Sequence, residues 1–95
     1  MEIKTVDGTL ICNLDGQIDT LESQKLEAIL KEHIAGQQPV SFDLKSVTYI
    51  CSAFLRVCLY VAKTVGAANF SLVGLTPPIK RVFKMAGMSE IFNVE

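Results

Sequence analysis

The residues with the clearest chemical potential are Ser52 and its neighbours. Ser52 follows a short β pattern and a polar segment, and it precedes a helical pattern over about 53–65. At a helix N-terminus its hydroxyl could accept a capping hydrogen bond from the backbone N–H of Phe54 or Leu55. The same position suits a phosphate, because the helix dipole and free amides favour an anion and Arg56 lies one turn away. The two roles are compatible.

Cys51 next to Ser52 raises the alternative of a nucleophilic cysteine. A helix start can lower the pKa of a thiol, but catalysis also needs a general base. The single histidine, His33, is predicted at the far end of a different helix. The cysteines, Cys12, Cys51 and Cys58, are odd in number and form no C-x-x-C pair, which disfavours a disulfide framework or a zinc site. We therefore expect reduced thiols, no enzymatic activity, no metal and no cofactor.

Size and charge narrow the class of protein further. The 95 residues are 49% hydrophobic and 20% charged, which predicts one folded domain over 1–95. The net charge of −1 argues against broad nucleic-acid binding, which needs a basic surface. No signal-peptide pattern occurs, and the nearly apolar run 46–62 is broken by Arg56 and too short to span a bilayer. We expect no direct membrane insertion and a cytoplasmic location.

The periodicity of the chain predicts an α/β fold. Asp7-Gly8 is typical of a type I′ hairpin turn. Asp19, with Glu22 three residues on, has capping-box spacing for a first helix with Leu21 in its apolar stripe, and Gly36 ends that helix. The remaining elements are expected as a turn at 15–16, strands at 3–6, 10–14, 40–44 and 69–75, a loop at 46–51, a helix starting at Thr76-Pro77 and a helical turn at 89–92. This order predicts an N-terminal hairpin followed by β-α units, giving about four strands in a mixed sheet with helices packed on it.

The second predicted helix has more apolar surface than one sheet face requires. Its polar residues, Ser52, Arg56, Tyr60 and Lys63, fall in a narrow arc, and apolar side chains occupy about 240° of the remainder. A stripe of roughly 100° is enough to cover a sheet. The excess is either buried against neighbouring helices or exposed as a partner-binding patch near Ala53, Phe54 and Val57.

Several stretches, together with the order of elements, resemble the STAS domain, the fold of bacterial anti-sigma factor antagonists. The matching stretches are Leu-Asp-Gly-Gln-Ile-Asp at 14–19, Phe-Asp-Leu-Lys-Ser-Val-Thr-Tyr-Ile at 42–50, Val-Gly-Leu-Thr-Pro at 73–77 and Phe-Lys-Met-Ala-Gly-Met at 83–88. The resemblance covers essentially the whole chain. It implies a non-enzymatic regulatory protein.

The family carries an Asp-Ser-(Ser/Ala)-Gly-Leu motif whose first serine is phosphorylated by a partner that is both kinase and anti-sigma factor. Residues 51–55 match it in Ser52, Ala53 and Leu55, while Cys51 replaces the aspartate and Phe54 the glycine. The resemblance thus implies Ser52 as the candidate phosphorylation site. The candidate partner-binding residues are Asp19, Cys51, Ser52, Ala53, Phe54, Arg56 and Val57.

The two replaced motif residues keep a second role open. Stand-alone STAS proteins also serve as subunits of transporter complexes, including lipid-transfer systems, where they bind a partner without phosphorylation. The sequence does not decide between an anti-sigma factor and a transporter subunit as the partner. It also leaves the oligomeric state open, including a homodimer.

Overall fold

An antiparallel hairpin leads into a sheet whose other strands are parallel. The computed structural model describes residues 1–34, 36, 38–88 and 93–94. The elements in chain order are β1 (Glu2–Val6), β2 (Thr9–Ile18), α1 (Thr20–His33), β3 (Val40–Ile50), α2 (Ser52–Val65), a short 3₁₀ turn (Ala67–Asn69), β4 (Phe70–Val73), α3 (Pro77–Met85) and β5 (Asn93–Val94). The strands lie in sequence order across the sheet. The predicted α/β class and mixed sheet are confirmed.

Local sequence signals explain most of the element boundaries. Asp7 and Gly8 have φ of 51° and 81°, the positive values that a type I′ turn requires at both central positions. Asp19 caps α1, its Oδ1 accepting the backbone N–H of Glu22 at 2.9 Å. Thr76 is the N-cap residue of α3, with Pro77 at the first helical position as predicted.

β2 and β3 are longer than the sequence predicted. β2 continues through Asp15 and Gly16 instead of turning there, and β3 continues through the segment 46–50 that was expected to be a loop. Residues 10–18 of β2 pair with 40–50 of β3, so β3 contains two more residues than its partner over the same length. The register shifts twice to absorb them, which is the behaviour of β-bulges.

These shifts change the burial period of β3. Val40, Phe42 and Leu44 are buried at every second position, but after Leu44 the buried residues are Val47 and Ile50, at every third. Strand prediction relies on a period of two, so the second half of β3 does not look like a strand in the sequence.

The C-terminal part of the chain contains one strand, β5, that the sequence analysis did not predict. β5 pairs with β4 in parallel. The helical turn expected at 89–92 lies outside the described residues.

The core lies between one face of the sheet and the helices. Phe42 of β3 lies at its centre, with its ring centroid 4.9 Å from that of Phe70 and 6.0 Å from that of Phe54. Phe54 in turn lies 6.4 Å from Phe83 of α3, near perpendicular to it. This chain of aromatic contacts ties α2 and α3 to the central strands.

The excess apolar surface of α2 is mostly buried. Its inward side chains, Phe54, Val57, Cys58, Val61, Ala62 and Val65, are at most 6% exposed. Of the two alternatives for this surface, burial is the one observed at Phe54 and Val57, whereas Ala53 is half-buried. No helix in the described part of the chain is long and apolar enough to cross a membrane.

The apolar stripe predicted for α1 needs one correction. Leu26 and Leu30 are buried as expected, but Leu21 is 58% exposed. The buried residue in the first turns is instead Ser23, at 1% exposure.

Replacing Phe54 by alanine should lower the free energy of unfolding by about 3–5 kcal/mol, because it removes a fully buried ring and leaves a cavity. Urea denaturation measures the change. Met85, 80% exposed at the end of α3, is the matched control, and Met85→Ala should change stability by no more than about 0.5 kcal/mol. A loss below about 1 kcal/mol for Phe54→Ala would mean that the ring is at the surface.

Candidate functional site

The site is organised by the carboxyl ends of β2 and β3. These strands are parallel, and their last paired residues are Ile18 and Ile50. Asp19 and Cys51 follow directly, and each is the N-cap residue of the helix that begins there. The starts of α1 and α2 therefore lie side by side, at the end of the sheet where β2 and β3 terminate. We call the surface formed by residues 19–23 and 49–56 the rim.

A buried serine connects the two helix starts. The Ser23 hydroxyl donates to the carbonyl oxygen of Asp19 at 2.7 Å and lies 3.8 Å from Sγ of Cys51. The Asp19 carbonyl also accepts the backbone N–H of Ser23 at 2.9 Å. Asp19 is thus held in place by its own helix while α2 packs against the same turn. Sequence analysis missed Ser23, although its position four residues after Asp19 is the spacing at which serine bonds back to a helix carbonyl.

The N-cap of α2 is Cys51, not Ser52 as predicted. Cys51 has extended backbone angles, and its carbonyl accepts the N–H groups of Phe54 and Leu55 at 3.1 and 3.2 Å. Ser52 is already the first helical residue and is exposed. In the part of the chain that the structure describes, its hydroxyl makes no hydrogen bond. The side chain is exposed to solvent and accessible to a partner.

The other predicted site residues separate into surface and core. Asp19 and Arg56 are exposed, and Ala53 is half-buried. Phe54 and Val57 are buried, at 0% and 2% exposure. Both side chains belong to the core, so they are not part of an exposed surface, and their role in partner binding stays a prediction. The ring of Phe54 is directed into the core and adds no bulk to the exposed surface of the helix start.

The three thiols have different environments. Burial raises the pKa of Cys12 to about 12 and that of Cys58 well above its ordinary value. Partial burial alone would raise the pKa of Cys51. Hydrogen bonds from the backbone amide of Phe54 and the side chain of Ser23, and weaker ones from Ala53 and Thr20, lower the pKa by more than burial raises it. The net effect is to lower the pKa of Cys51, as expected for a thiol at a helix start.

No histidine supports this thiol in nucleophilic catalysis. His33 is the last residue of α1, and its Nδ1 lies 2.8 Å from the Ile29 carbonyl oxygen. Cys51 contacts the first turns of the same helix, so about 15 Å of helix separates the two. The predicted separation of His33 from Cys51 is confirmed.

A shallow depression of about 340 Å³ lies on the sheet beside the hairpin. It is lined by Met1, Glu2, Asn13, Leu14, Asp15, Asp43, Lys45 and Ser46. No predicted site residue lines it. Its charges largely compensate one another, with Nζ of Lys45 3.6 Å from Asp43 Oδ2.

Alkylation with iodoacetamide should label Cys51 alone in the folded protein, because the other two thiols are buried and their pKa values are raised. Since the pKa of Cys51 is lowered, labelling should rise with pH at lower pH than for a free cysteine peptide. Intact mass against pH measures this, with Cys51→Ser as the unlabelled control. A labelling midpoint at or above that of the peptide would contradict the assignment.

Comparison with known proteins agrees with this architecture. The STAS domain family model matches residues 1–95. BtrV of Bordetella bronchiseptica, by name an anti-sigma factor antagonist, is 38% identical over 92 residues, covering 94% of this chain and 79% of BtrV.

Solved structures share the fold at lower identity. The Thermotoga maritima protein tm1081 has a TM-score of 0.84 at 17% identity, covering 98% of this chain and 83% of that one. The anti-sigma factor antagonist SpoIIAA in its unphosphorylated form has a TM-score of 0.79 at 14% identity, covering 99% and 86%. SpoIIAA of Bacillus in its phosphorylated form has a TM-score of 0.71 at 15% identity, covering 99% and 89%. With a family model matched over 1–95 and a relative at this identity, the chain belongs to the STAS domain family.

Proposed function

We propose that this protein acts as an anti-sigma factor antagonist: it binds an anti-sigma factor that is also a serine kinase, and Ser52 accepts the phosphate. The observation that carries the proposal is the position of Ser52, exposed in the first turn of α2 and next to the start of α1. The likeness to BtrV supports the same role. The surface of contact is the rim, through Asp19, Cys51, Ser52, Ala53 and Arg56.

A phosphate on Ser52 would change the charge of the rim strongly. It adds between about −1.5 and −2 charges where the unmodified hydroxyl has none. The free amides of the first turn and Arg56, one turn on, favour this charge, while the carboxylate of Asp19 opposes it. A partner that fits the neutral hydroxyl would then meet a bulky anion, so phosphorylation would weaken its binding.

The two departures from the family motif are compatible with this switch. Cys51 replaces a carboxylate by a thiol, which takes one negative charge away from the place where the phosphate must form. Phe54 replaces a glycine, but its ring is buried and does not cover Ser52. Neither replacement therefore blocks access of a kinase to the hydroxyl.

The alternative, a STAS subunit of a transporter complex, uses the same rim without phosphorylation. It is favoured by the missing aspartate at position 51. The two proposals differ in whether Ser52 is modified and in which protein is bound.

Incubation with the kinase anti-sigma factor of the same organism and ATP should add one phosphate to the protein, because Ser52 is exposed at a helix start. Intact mass measures the product. Ser52→Ala should stay unmodified, whereas Thr64→Ala, which removes another exposed hydroxyl of α2, should still be phosphorylated. Phosphate on Thr64, or none on the wild type, would contradict the switch; binding to transporter subunits without phosphate would support the alternative.

Asp19→Asn tests the charge of the rim apart from its structural role. Asparagine caps helices about as well as aspartate, so the free energy of unfolding should change by less than about 0.5 kcal/mol. Affinity for the anti-sigma factor should fall at least about fivefold in calorimetric titration, since the negative charge is lost.

The control for Asp19→Asn is Asp7→Asn, at the hairpin turn at the opposite end of the sheet, where asparagine is equally suited to the turn. It should leave affinity unchanged. Equal affinities for both variants and the wild type would remove Asp19 from the contact surface.

A further inference from the structure

We propose that Leu21 and Tyr49 are the hydrophobic anchors of the partner interface, on the same rim that carries Ser52. This inference rests on the proposed function, since it concerns the surface that the same partner would cover. It extends the contact surface beyond the motif, to two residues that the sequence did not place there. Leu21 was expected in the core, and Tyr49 in a loop.

Both side chains are exposed, and both belong to the rim. Leu21 is 58% exposed in the first turn of α1, two residues after Asp19. Tyr49 is 50% exposed, two residues before Cys51, and it pairs with Gln17 at the end of β2. A single exposed hydrophobic residue needs no explanation, but these two belong to the same rim, which also carries the exposed Ser52.

The other large hydrophobic residues that are exposed in the described part of the chain are Met1, Val6 and Met85, and none of them belongs to the rim. Val6 precedes the hairpin turn, at the opposite end of β2 from Ile18. Met85 is the last residue of α3, about 12 Å along the helix from Pro77 at its start. They provide exposed side chains of similar size for comparison.

The exposure of Tyr49 follows from the irregular pairing of β3. In a regular strand, Tyr49 would share the face of Val47, which is buried at 2% exposure. The register shift between Gly16 and Gln17 of β2 breaks this alternation, so that Ile50 is buried and Tyr49 faces solvent. As a result, β3 pairs irregularly here and the ring of Tyr49 is not buried in the core. Bulges of this kind are common next to functional sites, where they change the direction of a side chain.

The charges of the rim indicate a protein as the occupant. Asp19 and Arg56 are exposed and, among the described residues, neither forms an ion pair. An occupant that matches both must offer a positive group to Asp19 and a negative group to Arg56. A nucleic acid or an anionic membrane offers only negative charge and would leave Asp19 unmatched. A folded protein with apolar pockets for Leu21 and Tyr49 and charges of both signs around them fits this surface.

The experiment measures affinity for the purified kinase anti-sigma factor of the same organism by calorimetric titration. Leu21→Gln and Tyr49→Thr remove the hydrophobic contacts while keeping residues suited to a helix and a strand. Each should lower affinity at least about tenfold, as expected for anchors of an interface. Met85→Gln is the matched control and should stay within about twofold of the wild type. Thermal unfolding of each variant should match that of the wild type, since all three side chains are largely exposed.

The possible outcomes separate this inference from the proposed function. If the wild type binds and both rim variants bind within about twofold of it, the anchors are wrong and the proposed function stands. If the wild type does not bind, the proposed function fails and the inference fails with it. Sedimentation of the protein alone tests a second copy as the occupant. A homodimer that Tyr49→Thr dissociates, with anti-sigma factor affinity unchanged, would overturn the inference.

Discussion

The parallel pairing of β2 with β3 determines where the candidate site lies. It holds Ile18 and Ile50 opposite each other, and the chain leaves both strands at that point. Two helices must then begin next to each other, because each strand is followed at once by its N-cap residue. The neighbouring positions of Asp19 and Ser52 therefore do not depend on any contact between their side chains. They follow from strand register, which is fixed by the buried residues of both strands.

Neighbouring residues at the start of α2 belong either to the core or to the exposed rim. Along 52–57, Ser52 and Arg56 face solvent while Phe54 and Val57 are buried, as the helical period requires. A substitution in the motif can thus affect either stability or recognition, depending on its helical phase. Phe54 is the clear case: it changes the family motif, yet its ring contributes to the aromatic contacts with Phe42 and Phe83.

The hairpin turn and the starts of α1 and α3 were predicted correctly from the sequence, because they depend on residues that are close together in the chain. The Asp7-Gly8 turn, the Asp19 cap and the Thr76-Pro77 helix start each depend on a few neighbouring residues, and each is present. The second half of β3 depends instead on how its length compares with that of β2, which no local pattern contains. The exposure of Tyr49 was hidden for the same reason.

The candidate site was predictable in its position but not in its side-chain orientations. Ser52, Asp19 and Arg56 were identified from the sequence and are exposed. The cap was assigned to Ser52, one residue late, because helix ends carry only weak signals at that precision. Leu21 was assigned to the apolar stripe of α1, but Ser23, Leu26 and Leu30 form its buried face. Leu21 lies about 200° around the helix from Ser23 and therefore faces solvent.

The two additional residues of β3 also bear on how partner specificity can diverge among duplicated copies of such a protein. They leave Lys45, Ser46, Thr48 and Tyr49 exposed between the buried Leu44, Val47 and Ile50. Mutations at exposed positions cost little folding free energy, whereas those at the buried ones are restricted by packing. A strand of this kind separates the residues that maintain the framework from those that are free to vary. Several copies in one cell could then keep the same fold and differ in the surface that they present through exchanges on a single strand.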